Sequence, residues 1–153
     1  MVRTKIDYGI DLGTTNSAIA RMENGESIIK KSEGYQKDTT PSCDHFNKKK
    51  TLFVGDKAYS ILDKEAILSF KKNDTSLLNT FIEFKRTMGT DVKYKSKNMG
   101  KSFSSEELSA EVLKALKSYV RDEEINSVVI TVPAKFQGYQ KDATKKSAEL
   151  AGF

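Results

Sequence analysis

Several common sources of function are missing from this 153-residue chain. It has one cysteine, Cys43, which excludes an internal disulfide framework and any CxxC metal knuckle. A lone thiol fits a reducing compartment, and the cytosol is the expected location. The single histidine, His45, removes HExxH zinc sites and a chain-internal Cys/His metal cluster. Long apolar runs are absent as well. The longest, Ser127-Val128-Val129-Ile130-Thr131-Val132, falls far short of the roughly 18–20 residues a bilayer span needs, so no membrane partner is expected. The opening Met1-Val2-Arg3-Thr4-Lys5-Ile6-Asp7 lacks the apolar core of a secretory leader. Arginine is scarce. Of 26 basic residues only Arg3, Arg21, Arg86 and Arg121 are arginines, so the net charge of +5 rests on lysine. Lysine is a hydrated point charge suited to solubility, whereas base reading favours the arginine fork. The lysines are dispersed, densest at Lys93, Lys95, Lys97 and Lys101, and no RNP-like motif or recognition helix accompanies them. No specific nucleic-acid partner is expected.

What is present is enough for one folded domain, with 37% hydrophobic and 31% charged residues. Residues 5–13 are largely apolar and β-prone, and residues 17–22 continue as a second strand. Asn24-Gly25 is the two-residue type I′ hairpin signal before a third strand at residues 27–30. From 38 to 100 the composition shifts to lysine, serine and asparagine, with a short hairpin expected near Asn47-Lys48 and then helical stretches, one of them over residues 77–88 ending at Gly89. Ser104-Ser105-Glu106-Glu107 is a capping box, and Phe103 can staple onto Leu108. Leu108, Val112, Ala115 and Tyr119 give that helix one apolar face to about Arg121. Residues 128–132 are apolar on both faces, as a central parallel strand requires, and Pro133 stops them. A last helix over 139–151 has Gly152 as its C′ residue and Phe153 at C″. The order is that of an α/β protein with a mixed sheet and an inserted α+β subdomain. A helix capped at Gly152 is expected to feed a further strand, so the lobe is read as incomplete.

The sharpest chemical feature is Gly9-Ile10-Asp11-Leu12-Gly13-Thr14-Thr15-Asn16-Ser17. It is neither a GxxxxGK[ST] loop nor a GxGxxG fingerprint, and it joins two strands. Asp11 leaves a buried strand with a carboxylate suited to Mg²⁺ held through water. Gly13 admits close backbone approach, the amides that follow can form an anion nest, and Thr14 and Thr15 add hydroxyl donors. The same residue types also make an ordinary β-turn. Lys85, on a separate element, is placed to stabilise charge on a transferring phosphoryl group, or else is a solvated helix residue. Cys43 and His45 share one strand face and read as packing residues; a nucleophilic Cys–His pair stays open.

Four segments occur in order: residues 10–17, Thr39-Thr40-Pro41-Ser42, Asn79-Thr80 leading to Lys85-Arg86, and Val129-Ile130-Thr131-Val132-Pro133-Ala134-Lys135-Phe136. Together with Ser109-Ala110-Glu111-Val112-Leu113 and Lys141-Asp142-Ala143-Thr144-Lys145, they resemble the N-terminal part of the ATPase domain of the DnaK-type, seventy-kilodalton heat-shock chaperone family. The resemblance implies an actin-like ATPase fold with a ribonuclease-H-like core. Residues 1–37 and 101–153 would form the base of lobe I, and 38–100 its upper subdomain. It implies ATP or ADP with Mg²⁺ as cofactors. Gly13, Thr14, Thr15 and Asn16 would cradle the phosphates, Asp11 would sit near the metal, and Lys85 would assist γ-phosphate hydrolysis. Pro133 would relay nucleotide state with the basic residue at Lys141. Implied partners are unfolded peptides, bound through a downstream domain, a J-domain co-chaperone and a nucleotide-exchange factor. The pattern departs from the family at Asp38 and Lys141, where it has arginine, and at Lys135, where it has tyrosine. The stretch between Val54 and Lys85 is longer than usual. With one wall of a two-lobed cleft, this chain is expected to hydrolyse little or no ATP. A stand-alone interaction module and a sugar kinase of the same superfamily are the other readings; the Thr-Thr-Pro-Ser and Thr-Val-Pro-Ala segments weigh against the kinase.

Overall fold

The computed structural model describes residues 6–153. The leader assessment and the expected strand start at Lys5 therefore lie, over residues 1–5, outside the described residues. Strand β1 (Tyr8–Asp11) buries Tyr8 and Ile10 and turns Asp11 outward. It runs antiparallel to β2 (Asn16–Glu23), which continues into β3 (Glu26–Lys30). The hairpin between them has Asn24 at φ 52° and Gly25 at φ 86°, so both central residues are left-handed as type I′ demands. Strand β4 (Thr40–Pro41) pairs with the start of β2. Strand β10 (Val129–Thr131) adds to β1 in parallel, with Asp11 level with Thr131. The parallel pairing expected of residues 128–132 is present, but the strand is not central. It forms the edge of the order β10-β1-β2-β3, and Val129 is 55% exposed. Among the described residues no strand covers its outer side.

A second antiparallel sheet has the order β6-β5-β7, from β5 (Cys43–Phe46), β6 (Leu52–Val54) and β7 (Thr80–Ile82). Asn47 Oδ1 closes the expected hairpin by accepting from the amides of Lys49 and Thr51, both at 2.9 Å. Strands β8 (Lys93–Ser96) and β9 (Lys101–Ser104) form a ribbon of their own. The helix expected over 77–88 is not there. That stretch is a 3₁₀ turn, strand β7, and a second 3₁₀ turn at Phe84–Thr87, while the long helix lies upstream as α1 (Asp56–Lys72). The reason is local and tertiary together. Thr80-Phe81-Ile82 is β-prone and finds a partner in β5, and Glu83 at φ 54° breaks any helix between them.

Helix α2 (Ser105–Ser118) starts at the expected box, with Ser104 Oγ accepting from the Glu107 amide at 3.1 Å and Glu107 accepting from the Ser104 amide at 2.8 Å. It ends before Tyr119 and buries Leu108, Val112, Leu113 and Leu116; each such burial is worth about 1.5–3 kcal/mol over an exposed side chain. Helix α3 (Gly138–Leu150) packs on α2 and ends in a Schellman motif, Phe153 N donating to Ala148 O and Gly152 N to Glu149 O, both at 3.0 Å. One hydrophobic core joins these layers: Ile10, Leu12 and Ile19 from the first sheet meet α2, and Phe46 stacks on Phe103 with ring centres 4.4 Å apart.

Candidate functional site

The C-terminal ends of the parallel pair β1 and β10 meet the turn from β1 to β2, and in open α/β sheets that is where ligands collect. Gly13 sits in that turn. A Cβ placed on it would lie 1.9 Å from the Asn16 backbone oxygen, so no other residue fits without moving the chain. The turn is held by a closed ring of hydrogen bonds. Ser42 Oγ has one proton, which goes to Gly13 O at 2.8 Å. Ser17 Oγ therefore donates to Ser42 Oγ, also at 2.8 Å, and accepts from the Gly13 amide at 3.1 Å. Ser42 N donates to Thr15 O at 2.8 Å. Ser17 and Ser42 are buried, whereas Thr15 and Asn16 are exposed and Thr14 is half-buried. The ring satisfies the turn from beneath. It leaves the Thr14 and Thr15 hydroxyls without a partner among the described residues.

Lys85 comes from the 3₁₀ turn at Phe84–Thr87 and is 6% exposed. Its ammonium donates to Leu12 O, between Asp11 and Gly13, and lies 5.5 Å from the centre of the Phe136 ring. Burial pushes its pKa down, and the Asp11 carboxylate opposes that. Asp11 is exposed, and its Oδ1 accepts from Thr131 Oγ1 at 3.1 Å. Six sequence-predicted residues, Asp11, Gly13, Thr14, Thr15, Asn16 and Lys85, are thus assembled at one strand end. Lys85 is neither on an α-helix nor solvated. Pro133 begins a turn, its carbonyl accepting from Phe136 N at 2.9 Å, which seats Phe136 against Lys85. Lys141 is exposed on the first turns of α3, with no ion pair among the described residues. No hydrogen bond joins Pro133 to Lys141. Asp38, at a departure from the family pattern, pairs with Lys31 at 3.3 Å on the surface.

Sequence reasoning gave no role to Ser17, Ser42, Thr131 or Phe136. The Thr39-Thr40-Pro41-Ser42 segment was the available signal for Ser42, but a fold is needed to see what its hydroxyl holds. The Cys43–His45 pair is not a nucleophilic one. Burial, with Asp44 and Glu65 nearby, pushes the thiol up to about 12, and His45 Nδ1 faces Thr80 Oγ1 at 2.8 Å and Glu65 at 3.3 Å. Among the described residues no three His, Cys, Asp or Glu side chains converge as a metal site. A lone exposed Asp11 beside a glycine cradle fits Mg²⁺ bound mostly by water and ligand oxygens, as that ion prefers. No helix among the described residues is long and apolar enough to cross a membrane.

The mixed α/β architecture with this strand-end site is part of an actin-like ATPase domain. Within that class, the family model for the Hsp70 protein matches residues 7–153, and the chain belongs to the Hsp70 family. Its members are chaperone ATPases that bind ATP or ADP with Mg²⁺ and work with co-chaperones and substrate peptides.

Proposed function

We propose that this chain supplies one wall of the nucleotide site of a DnaK-type chaperone ATPase, with residues 1–37 and 101–153 as the base of lobe I and 38–100 as its upper subdomain. The observation that carries the reading is the Gly13 cradle, closed from below by Ser17 and Ser42 and flanked by a buried ammonium. Gly13, Thr14, Thr15 and Asn16 hold the phosphates through amides and hydroxyls, a nest that the ring beneath keeps from collapsing. Lys85 is buried and fixed, so it stabilises the negative charge that develops on the γ-phosphoryl oxygens with little cost of reorganisation. Bound Mg²⁺, held by Asp11 through water, would neutralise phosphate charge. Pro133 carries the nucleotide state outward through the Phe136 turn, with Lys141 as the basic partner in place of the family's arginine. Unfolded peptides, a J-domain co-chaperone and a nucleotide-exchange factor are the partners, in the cytoplasm, with folding and the stress response as the setting.

A wall with Asp11, Thr15 and Asn16 open to solvent buries little of a nucleotide, so these 153 residues hydrolyse little or no ATP and bind it with a Kd on the order of millimolar. An NMR titration with Mg-ATP tests this. Saturating shifts at the amides of residues 13–16, lost in Thr14→Ala, are expected. Shifts centred elsewhere, or unchanged in the variant, would overturn the site. Micromolar binding would overturn the one-walled reading and favour a self-sufficient module.

A further inference from the structure

A cleft of about 730 Å³ lies away from the glycine turn, between α1, the β5–β6 turn and the β8–β9 turn. That is the size of a small-molecule pocket. Four lysines line it, Lys48, Lys64, Lys72 and Lys97, and none forms an ion pair among the described residues. The one carboxylate in its lining, Glu65, is committed inward: it accepts from the amides of Asn79 and Thr80 and faces His45 Nδ1. Asp74, in the neighbouring groove, feels Lys72 and Lys97, but its carboxylate caps the Ser76 amide at 2.9 Å. Ile61, Leu68 and Leu77 supply an apolar floor.

A second observation points to a ligand. The His45 side chain is 8% exposed and its ring lines the cleft. With Nδ1 engaged by Thr80 and Glu65, Nε2 is the ring nitrogen that has no partner among the described residues. The α1 residues involved, Ile61, Lys64, Glu65, Leu68 and Lys72, are spaced i, i+3, i+4, i+7 and i+11, one face of one helix.

We propose that this cleft binds a small phosphorylated organic molecule with an apolar body. Its dianionic phosphate is met by the four lysines and its body lies on Ile61, Leu68 and Leu77, beside the open edge of His45. Four lysines against the carboxylates of Glu65 and Asp74 leave a surplus of positive charge, which favours a dianion over a monoanion, since lysine binds phosphate as a point charge. A volume of about 730 Å³ suits a small molecule, and the site is independent of the nucleotide reading.

Phenyl phosphate is the probe, with phenol and inorganic phosphate as comparisons, followed by NMR on the 153-residue chain. Saturable shifts are expected in the His45 ring and the Ile61, Leu68 and Leu77 methyls, with tighter binding than either comparison. Lys64→Glu combined with Lys72→Glu should weaken binding about tenfold or more, as loss of charge-assisted contacts implies. Lys97→Ser gives the same direction should the double variant fail to fold. Thr14→Ala should change nothing, which separates this site from the glycine turn. Shifts centred on residues 13–16 and lost in Thr14→Ala would overturn the proposal. So would phenol binding as well as phenyl phosphate, or a folded lysine variant that binds unchanged.

Discussion

Asp44 has no exposed surface, and neither carboxylate oxygen has a hydrogen-bond partner among the described residues. It lies on β5 level with Val54 and Phe81, so its neighbours across the sheet are apolar. Burial raises its pKa well above the ordinary 3.8, and the Glu111 carboxylate adds to that. Burial therefore favours its neutral form in the folded chain. A group whose folded pKa is raised contributes its stability below the unfolded value and loses it as pH climbs towards the folded one. Asp44 thus costs stability at neutral pH and little near pH 4. Asp44→Val removes both the titration and the unpaired oxygens. Calorimetry at pH 7.5 should give a gain of about 2 kcal/mol, roughly 4–8 °C in Tm, and a smaller gain at pH 4.5. A variant no more stable than the parent at either pH would sink this account. Gly13 illustrates the opposite kind of residue, legible from the sequence because its constraint is local. Ser42 was not, because its hydroxyl acts on a turn residue 29 positions earlier.

At the scale of elements, the strongest local signals held. The Asn24-Gly25 turn, the α2 capping box and the α3 C-terminal glycine are each fixed by a few adjacent residues, and each forms as expected. Helix α1 falls among the helical stretches expected after the Asn47-Lys48 hairpin, but its bounds were not legible because its pattern is weak: of 17 residues only Ala58 and Ser69 are buried, while Ile67, Leu68 and Phe70 face solvent. The stretch over 77–88 was misread because apolar spacing there serves strand pairing with β5 and two 3₁₀ turns. Lys85 still reaches the glycine turn, since the second of those turns, not a helix, aims it. The residues alone left Lys85 open between a phosphate-facing place and a solvated helix face, and the family resemblance favoured the first. The capping box gives a quantitative check. Ser104→Ala removes one of two reciprocal bonds and should cost about 1 kcal/mol, or roughly 2–4 °C in Tm. An unchanged melting curve would show that α2 is held by its buried face alone.

At the scale of the whole molecule, the five-stranded sheet leaves two edges open among the described residues, β10 on one side and β3 on the other. Val129 on β10, and Met22, Ile28 and Ile29 on β2 and β3, are exposed apolar side chains on or beside them. Unpaired edges with apolar side chains are templates for further pairing. Sedimentation across a dilution series should therefore show reversible self-association of the 153-residue chain, reduced by Val129→Lys. A monomer at every concentration would mean that these edges are blunted by twist or by the lysines around them.

The serine ring beneath Gly13 also sets an order of events. The first turn of the chain takes its shape from a hydroxyl on residue 42, so it stays unfinished until β4 and the start of β5 have docked. During synthesis, the segment that emerges first waits on one that emerges later. The phosphate cradle is in that sense a late assembly, complete only when β2, which carries Ser17, and the bend at Ser42 between β4 and β5 have come together.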